Sequence, residues 1–194
     1  MRIKTMENNK ATQINIDLIN SINISSDRLL IKKFTEADIQ HNVKHEMDPE
    51  LMRYIRDPIS LEETTKKTKK CAEGWNGDEG DWTLFSVRLK GSNQYIGMVC
   101  FKYESIESDT VEIGWRLGHE YHGKGYATEA AQRVLDFIID KIKPHKVVAY
   151  CIAENTASSN IMTKLGMEQE GHLRQCWKLR GNWQDSVIFG IILN

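Results

Sequence analysis

Two glycines separated by one residue, Gly123 and Gly125, stand directly before a strong helical pattern. From residue 127 to residue 142 the apolar side chains recur at the spacing of one helix face, and residues 111–117 alternate as a strand does. A helix N-terminus carries unpaired N–H groups and the positive end of the helix dipole, and glycine lets a ligand approach the backbone. The order strand, glycine loop, helix therefore predicts a phosphate-binding site.

Two commoner phosphate motifs do not fit this loop. The dinucleotide motif needs a third glycine where Thr128 stands, and the G-x-x-x-x-G-K-[ST] loop of nucleoside triphosphatases does not occur in the chain. Two glycines before a helix are also compatible with a tight connection that binds nothing. Other motifs must therefore decide between these interpretations.

Composition narrows the class of protein. The chain has 194 residues and a net charge of −1, which favours one α/β domain and gives no electrostatic reason to expect nucleic acid or a membrane as a partner. No apolar run of the length of a membrane span occurs. The four cysteines lack the spacing of a metal site or a disulfide framework, so we expect no metal and a cytoplasmic protein. They are Cys71, Cys100, Cys151 and Cys176.

The element order predicted along the chain is β-α-α-β-β-β-α-β-α-β-β, with residues 1–26 as an N-terminal extension and residues 27–194 as the domain. The predicted strands are residues 28–34, 82–89, 94–103, 110–117, 146–152, 167–179 and 184–193. Gly114 lies inside the fourth strand, which indicates a bulge or the close approach of another group to the backbone.

Two further motifs follow the glycine loop in the chain. Asn155-x-x-Ser158 comes before Lys164-Leu165-Gly166-Met167, and Gly181-x-Trp183-x-Asp185 comes before the last strand. Together with the loop and the element order, they resemble the GNAT superfamily of acetyl-coenzyme A-dependent N-acetyltransferases over about residues 26–193. The third motif is similar to the ribosomal-protein N-terminal acetyltransferase branch.

The resemblance departs from the family in one position of the glycine loop. The family signature is Gln/Arg-x-x-Gly-x-Gly/Ala, and residues 122–127 match it at the glycine and the alanine, with His122 in place of Gln or Arg. Three motifs in the family's order are far more specific than the two glycines alone.

The resemblance implies a GNAT fold, a mixed and mostly antiparallel sheet that splays between its fourth and fifth predicted strands. It also implies acetyl-coenzyme A as co-substrate, with the pyrophosphate on backbone N–H groups of the loop and the pantetheine paired with the fourth strand as an added strand. The residues expected to contact the coenzyme are Trp115, Arg116, Leu117, His122, Gly123, Lys124, Gly125, Tyr126, Ala127, Thr128, Asn155 and Ser158.

Catalysis requires a neutral amine, because an ammonium group has no lone pair with which to attack a thioester. Glu112, on the fourth strand, is the candidate general base, and a surface carboxylate with no catalytic role is an equally good interpretation of it. His119 and His122 are weaker candidates for the base.

The leaving thiolate also needs a proton. By resemblance, Ser158 is the candidate donor and Asn155 a hydrogen-bonding partner of the pantetheine, although both could instead cap the short helix that follows. Tyr121, Tyr126 and Tyr150 are alternative hydroxyl donors.

The expected acceptor is a primary amine, either a protein N-terminus such as that of a ribosomal protein or a small amine such as a polyamine or aminoglycoside. Some members of the ribosomal-protein branch carry a carboxylate where Trp177 stands here, so that branch's substrate does not transfer directly. We expect acceptor-binding loops at residues 47–60, 74–81 and 171–182, and the chain could form a homodimer. A non-catalytic acyl-coenzyme A-binding regulator on the same fold is the alternative from another class.

Overall fold

The computed structural model describes residues 16–193, in which eight strands form one sheet. The main elements are α1 (Ile16–Asn20), β1 (Asn23–Ser25), β2 (Leu29–Lys33), α2 (Ile39–Glu46), α3 (Leu61–Glu73), β3 (Thr83–Leu89), β4 (Tyr95–Ser105), β5 (Thr110–Leu117), α4 (Tyr126–Phe137), β6 (Lys146–Ile152), α5 (Thr156–Lys164), β7 (Glu168–Leu179) and β8 (Asn182–Ile192). Short 3₁₀ turns precede α2 and the glycine loop, and a π-helical turn (Ile138–Ile142) ends α4.

The strands are arranged in the order β1-β2-β3-β4-β5-β6-β8-β7, and every neighbouring pair is antiparallel except β5 and β6. This confirms the predicted α/β fold with a mixed, mostly antiparallel sheet. The additional strand is β1, which lies within the predicted extension. It pairs with β2, and Ile19 and Ile22 beside it are buried in the main core. Residues 16–25 thus pack with the domain predicted to begin at residue 27, while residues 1–15 lie outside the described part of the chain.

The feature that matters for function is the gap between β5 and β6. The two strands pair only at Thr110↔Lys146, Val111↔Val147 and Glu112↔Val148. Beyond Glu112, β5 continues to Leu117 paired with β4, and β6 continues to Ile152 paired with β8. The sheet therefore splays at the predicted place, and Glu112 marks the apex of the β5–β6 gap.

No bulge occurs at Gly114, and the structure shows the other expected reason for the glycine, the close approach of another group to the backbone. The register of β4 and β5 is continuous through Phe101↔Ile113, Cys100↔Gly114 and Val99↔Trp115. The glycine instead permits close packing. A Cβ at Gly114 would lie 3.3 Å from the Cys100 sulfur and 3.8 Å from the ring of Trp82. The absence of a side chain leaves room chiefly for the Cys100 thiol, because the distance to Trp82 is an ordinary contact.

The two faces of β5 differ because side chains alternate along a strand. Val111 and Ile113 are buried in the core that includes α4. Glu112 and Arg116 point to the opposite face, which α2 and α3 partly cover and which is called the α2/α3 face below. The sequence pattern could not assign Glu112 to either face of the sheet, and the structure places it on the α2/α3 face.

None of the helices within residues 16–193 is long and apolar enough to cross a bilayer. The cytoplasmic location and the homodimer stay predictions.

Candidate active site

The glycine loop, residues 122–125, turns the chain from β5 into α4. Gly123 and Gly125 have φ values of +72° and +77°, in the left-handed region that favours glycine, and Gly125 is the N-cap of α4. The first α-helical hydrogen bond runs from Glu129 N to Gly125 O. Within residues 16–193, the backbone N–H groups of residues 123–128 donate to no acceptor. Six free donors at the start of a 12-residue helix are an arrangement suited to an anion such as phosphate.

Arg28 braces this loop from β2. Its Nη1 donates to the carbonyl of Lys124 (3.0 Å), its Nε donates to Glu129 Oε2 (2.7 Å), and its guanidinium lies 4.5 Å from the ring centroid of Tyr126. In a trans peptide the C=O and the following N–H point in opposite directions, so this contact turns the N–H of Gly125 away from Arg28. Sequence reasoning missed Arg28 and Glu129, because no local pattern relates residues a hundred positions apart.

Glu129 also helps to hold the glycine loop in place. It accepts hydrogen bonds from the hydroxyl of Ser26 (2.5 Å) and from the backbone N–H of Arg28 (3.2 Å). Burial opposes ionisation of Glu129, but these bonds and the Arg28 guanidinium outweigh it and lower its pKa. The charged carboxylate therefore joins the start of β2 to the start of α4 and fixes the glycine loop between them.

The free edge of β5 faces the β5–β6 gap. Gly118 N donates to Ile96 O at the β4 edge (2.9 Å), and hydrogen-bonding direction alternates along a strand, so Trp115 and Leu117 direct their backbone groups toward the gap. His122 Nε2 lies 2.8 Å from the Leu117 carbonyl oxygen, so one of the backbone groups that face the gap already has a partner. Arg116, by the same alternation, directs its backbone groups to β4 rather than to the gap.

The Arg116 side chain has a structural task on the α2/α3 face. It is 5% exposed and donates to Asn42 Oδ1 (2.6 Å) and Glu46 Oε1 (3.3 Å). Arg56 donates to the other oxygen of Glu46 (2.8 Å). Burial raises the pKa of Glu46, but the two arginines and Asn42 more than offset it and hold the pKa below its ordinary value. The network fastens α2 and the segment after it to β5.

A cavity of about 460 Å³ opens in front of the glycine loop. It is lined by all the predicted coenzyme contacts except Lys124, and by five residues of the α2–α3 connection, Glu50, Leu51, Arg53, Tyr54 and Ile55. The predicted contacts that line it are Trp115, Arg116, Leu117, His122, Gly123, Gly125, Tyr126, Ala127, Thr128, Asn155 and Ser158. Lys124 is exposed, with its ammonium 5.9 Å from the ring centroid of Tyr121. The structure thus joins three segments that are separate in sequence at a single cavity.

Asn155 and Ser158 enter this cavity from the start of α5. The side-chain oxygen of Asn155 accepts a hydrogen bond from Ser158 N (3.3 Å), which is the capping arrangement. Within residues 16–193, the Asn155 amide nitrogen and the Ser158 hydroxyl have no hydrogen-bonding partner. Capping therefore leaves both groups available to a ligand.

Glu112 lies outside the cavity lining, at the apex of the gap. Its Oε2 is 2.9 Å from Lys102 Nζ, and its side chain is 15% exposed. Burial raises the pKa of Glu112 in spite of the neighbouring ammonium. Tyr150 belongs to the same face, on the β6 side of the gap, and its hydroxyl donates to Glu104 Oε1 (2.6 Å).

The weaker base candidates lie nearer the glycine loop than the apex. His119 Nε2 is 3.5 Å from Asp48 Oδ2, and His122 is bonded to the Leu117 carbonyl. Both line the cavity where β5 ends. Both histidines thus lie beside the glycine loop rather than beside Glu112.

Two of the three predicted acceptor loops meet. Arg180, in the β7–β8 turn, donates through its backbone N–H to Asp57 Oδ1 and through Nη2 to the carbonyl of Pro49, both at 2.6 Å. Trp177, which lies on β7 three residues before Arg180, is 50% exposed. The third loop, residues 74–81, packs elsewhere, because Trp75 is buried and bonds through its backbone to Asn20.

Comparison with known proteins agrees with this architecture. Residues 28–168 match the model of the acetyltransferase (GNAT) domain. The uncharacterized N-acetyltransferase YnaD of Bacillus subtilis is 32% identical over 171 residues, 88% of this chain and 97% of YnaD. A crystal structure of a GNAT acetyltransferase from Bacillus anthracis is 32% identical with a TM-score of 0.76, covering 88% of this chain and 98% of that one. The [ribosomal protein uS5]-alanine N-acetyltransferase of Escherichia coli is 26% identical over 76 residues, 39% of each chain.

The chain therefore belongs to the GNAT acetyltransferase family. It is an N-acetyltransferase, and acetyl-coenzyme A is its co-substrate.

Proposed function

We propose that this N-acetyltransferase acetylates the α-amino group of a peptide or protein N-terminus, by direct attack of the amine on the thioester. The observation that carries the proposal is the junction of two features at one cavity. The free backbone N–H groups of residues 123–128 open into the same space as the unpaired edge of β5. A diphosphate and a narrow amide-bearing arm are the two parts of coenzyme A that such a site fits.

The coenzyme would lie along the gap. Its pyrophosphate takes the N–H groups of the glycine loop, and its pantetheine amides pair with Trp115 and Leu117 as an added strand would. The thioester then points toward Glu112 at the apex. The backbone N–H of Trp115 faces the gap and can donate to the thioester oxygen as it becomes an oxyanion.

Glu112 would take the proton of the attacking amine, directly or through one water. A raised pKa makes a carboxylate a stronger base, and burial raises that of Glu112. An α-amino group has a reference pKa of about 7.7–8.0 and a lysine about 10.4, so a carboxylate deprotonates the former more readily. The new N–C bond forms as the C–S bond breaks, and Ser158 donates a proton to the departing thiolate and regains one from the acylated nitrogen.

The charges around the site favour a peptide over a polycation. Two of the three carboxylates near Tyr150 form ion pairs, Glu112 with Lys102 (2.9 Å) and Glu170 with Lys146 (2.6 Å), while Glu104 accepts a hydrogen bond from Tyr150 and keeps its charge. The two ion-paired carboxylates attract a polyamine less strongly than free carboxylates would. The exposed Trp177 and the 44% exposed Leu173 offer apolar contacts to the side chains of a peptide. The Escherichia coli relative named for uS5 alanine supports the same choice.

A panel of amines supplied with acetyl-coenzyme A, scored by release of free thiol, tests this acceptor. We expect kcat/KM for a short peptide with N-terminal alanine to exceed that for spermidine or an aminoglycoside by at least about tenfold. The same peptide with a blocked N-terminus and an internal lysine is the control, and it should react poorly. Faster turnover of spermidine would contradict the proposal. Saturable coenzyme binding without thiol release from any amine would favour the regulator.

Ser158→Ala should lower turnover more than coenzyme binding. Loss of a general acid reduces kcat by about 100-fold, whereas the capping bond uses the Ser158 backbone N–H and survives the change. Assays of released thiol measure the turnover, and titration with coenzyme A measures the binding. Ser159→Ala is the matched control, because the Ser159 hydroxyl donates to Thr156 O and does not line the cavity. Equal losses of turnover and binding in Ser158→Ala would indicate a structural role instead.

A further inference from the structure

Lys102 holds a primary amine next to the proposed base. It lies on β4 directly opposite Glu112 on β5, and its Nζ is 2.9 Å from Glu112 Oε2. The same Nζ lies 4.9 Å from the ring centroid of Trp82, and the side chain is 23% exposed. A carboxylate and an aromatic face are the partners that an ammonium group prefers. The chain's own lysine thus occupies the kind of position that an acceptor amine needs.

The distance to the β5–β6 gap is short enough for this amine to react. Neighbouring strands lie about 4.8 Å apart, so the Lys102 backbone is about two strand spacings from the middle of the gap. Its flexible four-carbon stem already carries the ammonium to Glu112 on β5, the last residue before the strands part. Trp82, which packs near Gly114, lies against the same ammonium.

We propose that Lys102 is a self-acetylation site of this enzyme when no external acceptor is present. Nζ gives one proton to Glu112 and attacks the thioester carbonyl. The N–C bond forms, the C–S bond breaks, and the thiolate leaves and is protonated, so one acetyl-coenzyme A is consumed per chain and free coenzyme A is released. The inference rests on the proposed role of Glu112 as base.

The reaction should be slow and should stop at one acetyl group. A lysine is harder to deprotonate than an α-amino group, but a tethered amine held beside the thioester gains a high effective concentration. Acetylation removes the charge of Lys102, and Glu112 then loses the ion pair that it has in the unmodified chain. An external acceptor that reaches Glu112 competes with Lys102 and should suppress its modification.

Mass spectrometry of the full chain incubated with acetyl-coenzyme A alone tests the proposal. We expect one added acetyl group on the tryptic peptide that contains Lys102, at a rate independent of protein concentration. Lys146 is the matched control, because it pairs with Glu170 and is 27% exposed. Lys102 should react at least about tenfold faster than Lys146. Labelling that follows exposure instead, with the 68% exposed Lys70 ahead of Lys102, would overturn the proposal.

Two variants separate this inference from the proposed function. Glu112→Gln should slow labelling of Lys102 and leave the background at Lys146 and Lys70 unchanged. Lys102→Arg keeps a cation beside Glu112 and should abolish the specific signal. If peptide turnover depends on Glu112 while Lys102 stays unmodified, the inference fails and the proposed function stands. If no amine is acetylated and Lys102 is also unmodified, both fail.

Discussion

Gly125→Glu abolishes measurable binding of acetyl-coenzyme A, a loss of more than about 100-fold in affinity. The new carboxylate would stand at the N-cap of α4, among N–H groups that otherwise receive a diphosphate, and would repel it. It would also approach Arg28, since a Cβ at Gly125 lies 3.5 Å from Nη2 of that residue. Pairing with Arg28 would compete with Glu129 and the Lys124 carbonyl and loosen the loop. Titration with coenzyme A measures the effect.

A variant with the same backbone strain controls for folding. Gly80 has φ +82°, and a Cβ there would meet nothing within 4 Å. Gly80→Glu therefore carries a similar left-handed penalty, about 1–2 kcal/mol, away from the loop. We expect it to melt at a temperature close to that of Gly125→Glu and to bind the coenzyme as the wild type does. Wild-type affinity in Gly125→Glu would remove the glycine loop from the coenzyme site.

Glu112→Gln lowers kcat by about 100-fold or more, because glutamine cannot accept the amine proton. The wild-type enzyme should also lose kcat as the pH falls through the pKa of Glu112. Burial raises that pKa, so the loss should begin at a higher pH than an exposed glutamate would give. The variant should lack this acid limb. Profiles of kcat against pH with a peptide acceptor measure both effects.

Glu170→Gln is the matched control for this change. Glu170 on β7 also forms an ion pair with a lysine, Lys146, which lies two strands away on β6 and pairs with Thr110 in the closed part of the sheet rather than at the apex of the gap. We expect its kcat and its pH profile to stay close to those of the wild type. If the profile of kcat against pH were unchanged in Glu112→Gln, Glu112 would not be the base, and its role would be the ion pair with Lys102.

Much of the architecture could be predicted because its signals are local. The apolar stripe of α4, the glycines before it and the alternation in β5 each depend on neighbours a few residues apart. The order of these elements and the three motifs were enough to place the chain in its family and to name the segments around the coenzyme. The segments that line the cavity were therefore accessible from the sequence.

The remaining predictions depended on strand register. A pattern of alternation does not say which face is buried, and a shift by one residue exchanges the faces. For Gly114 the sequence left two alternatives, a bulge or the close approach of another group, and the continuous register with the Cys100 sulfur 3.3 Å from a Cβ there decides for close approach. Strand register also sets the orientation of Arg116. Its backbone groups point toward β4, and its side chain points toward α2.

The sequence by itself determined the family and the order of the elements from β2 onward, and it predicted the phosphate site, since these follow from residue types at short spacing. Only the tertiary structure decided that Arg28 and Glu129 brace the loop, that Glu112 stands at the apex of the gap and that Lys102 lies beside it. These contacts join residues far apart in the chain, and their free energy depends on distance and burial, which exist only after the strands have paired.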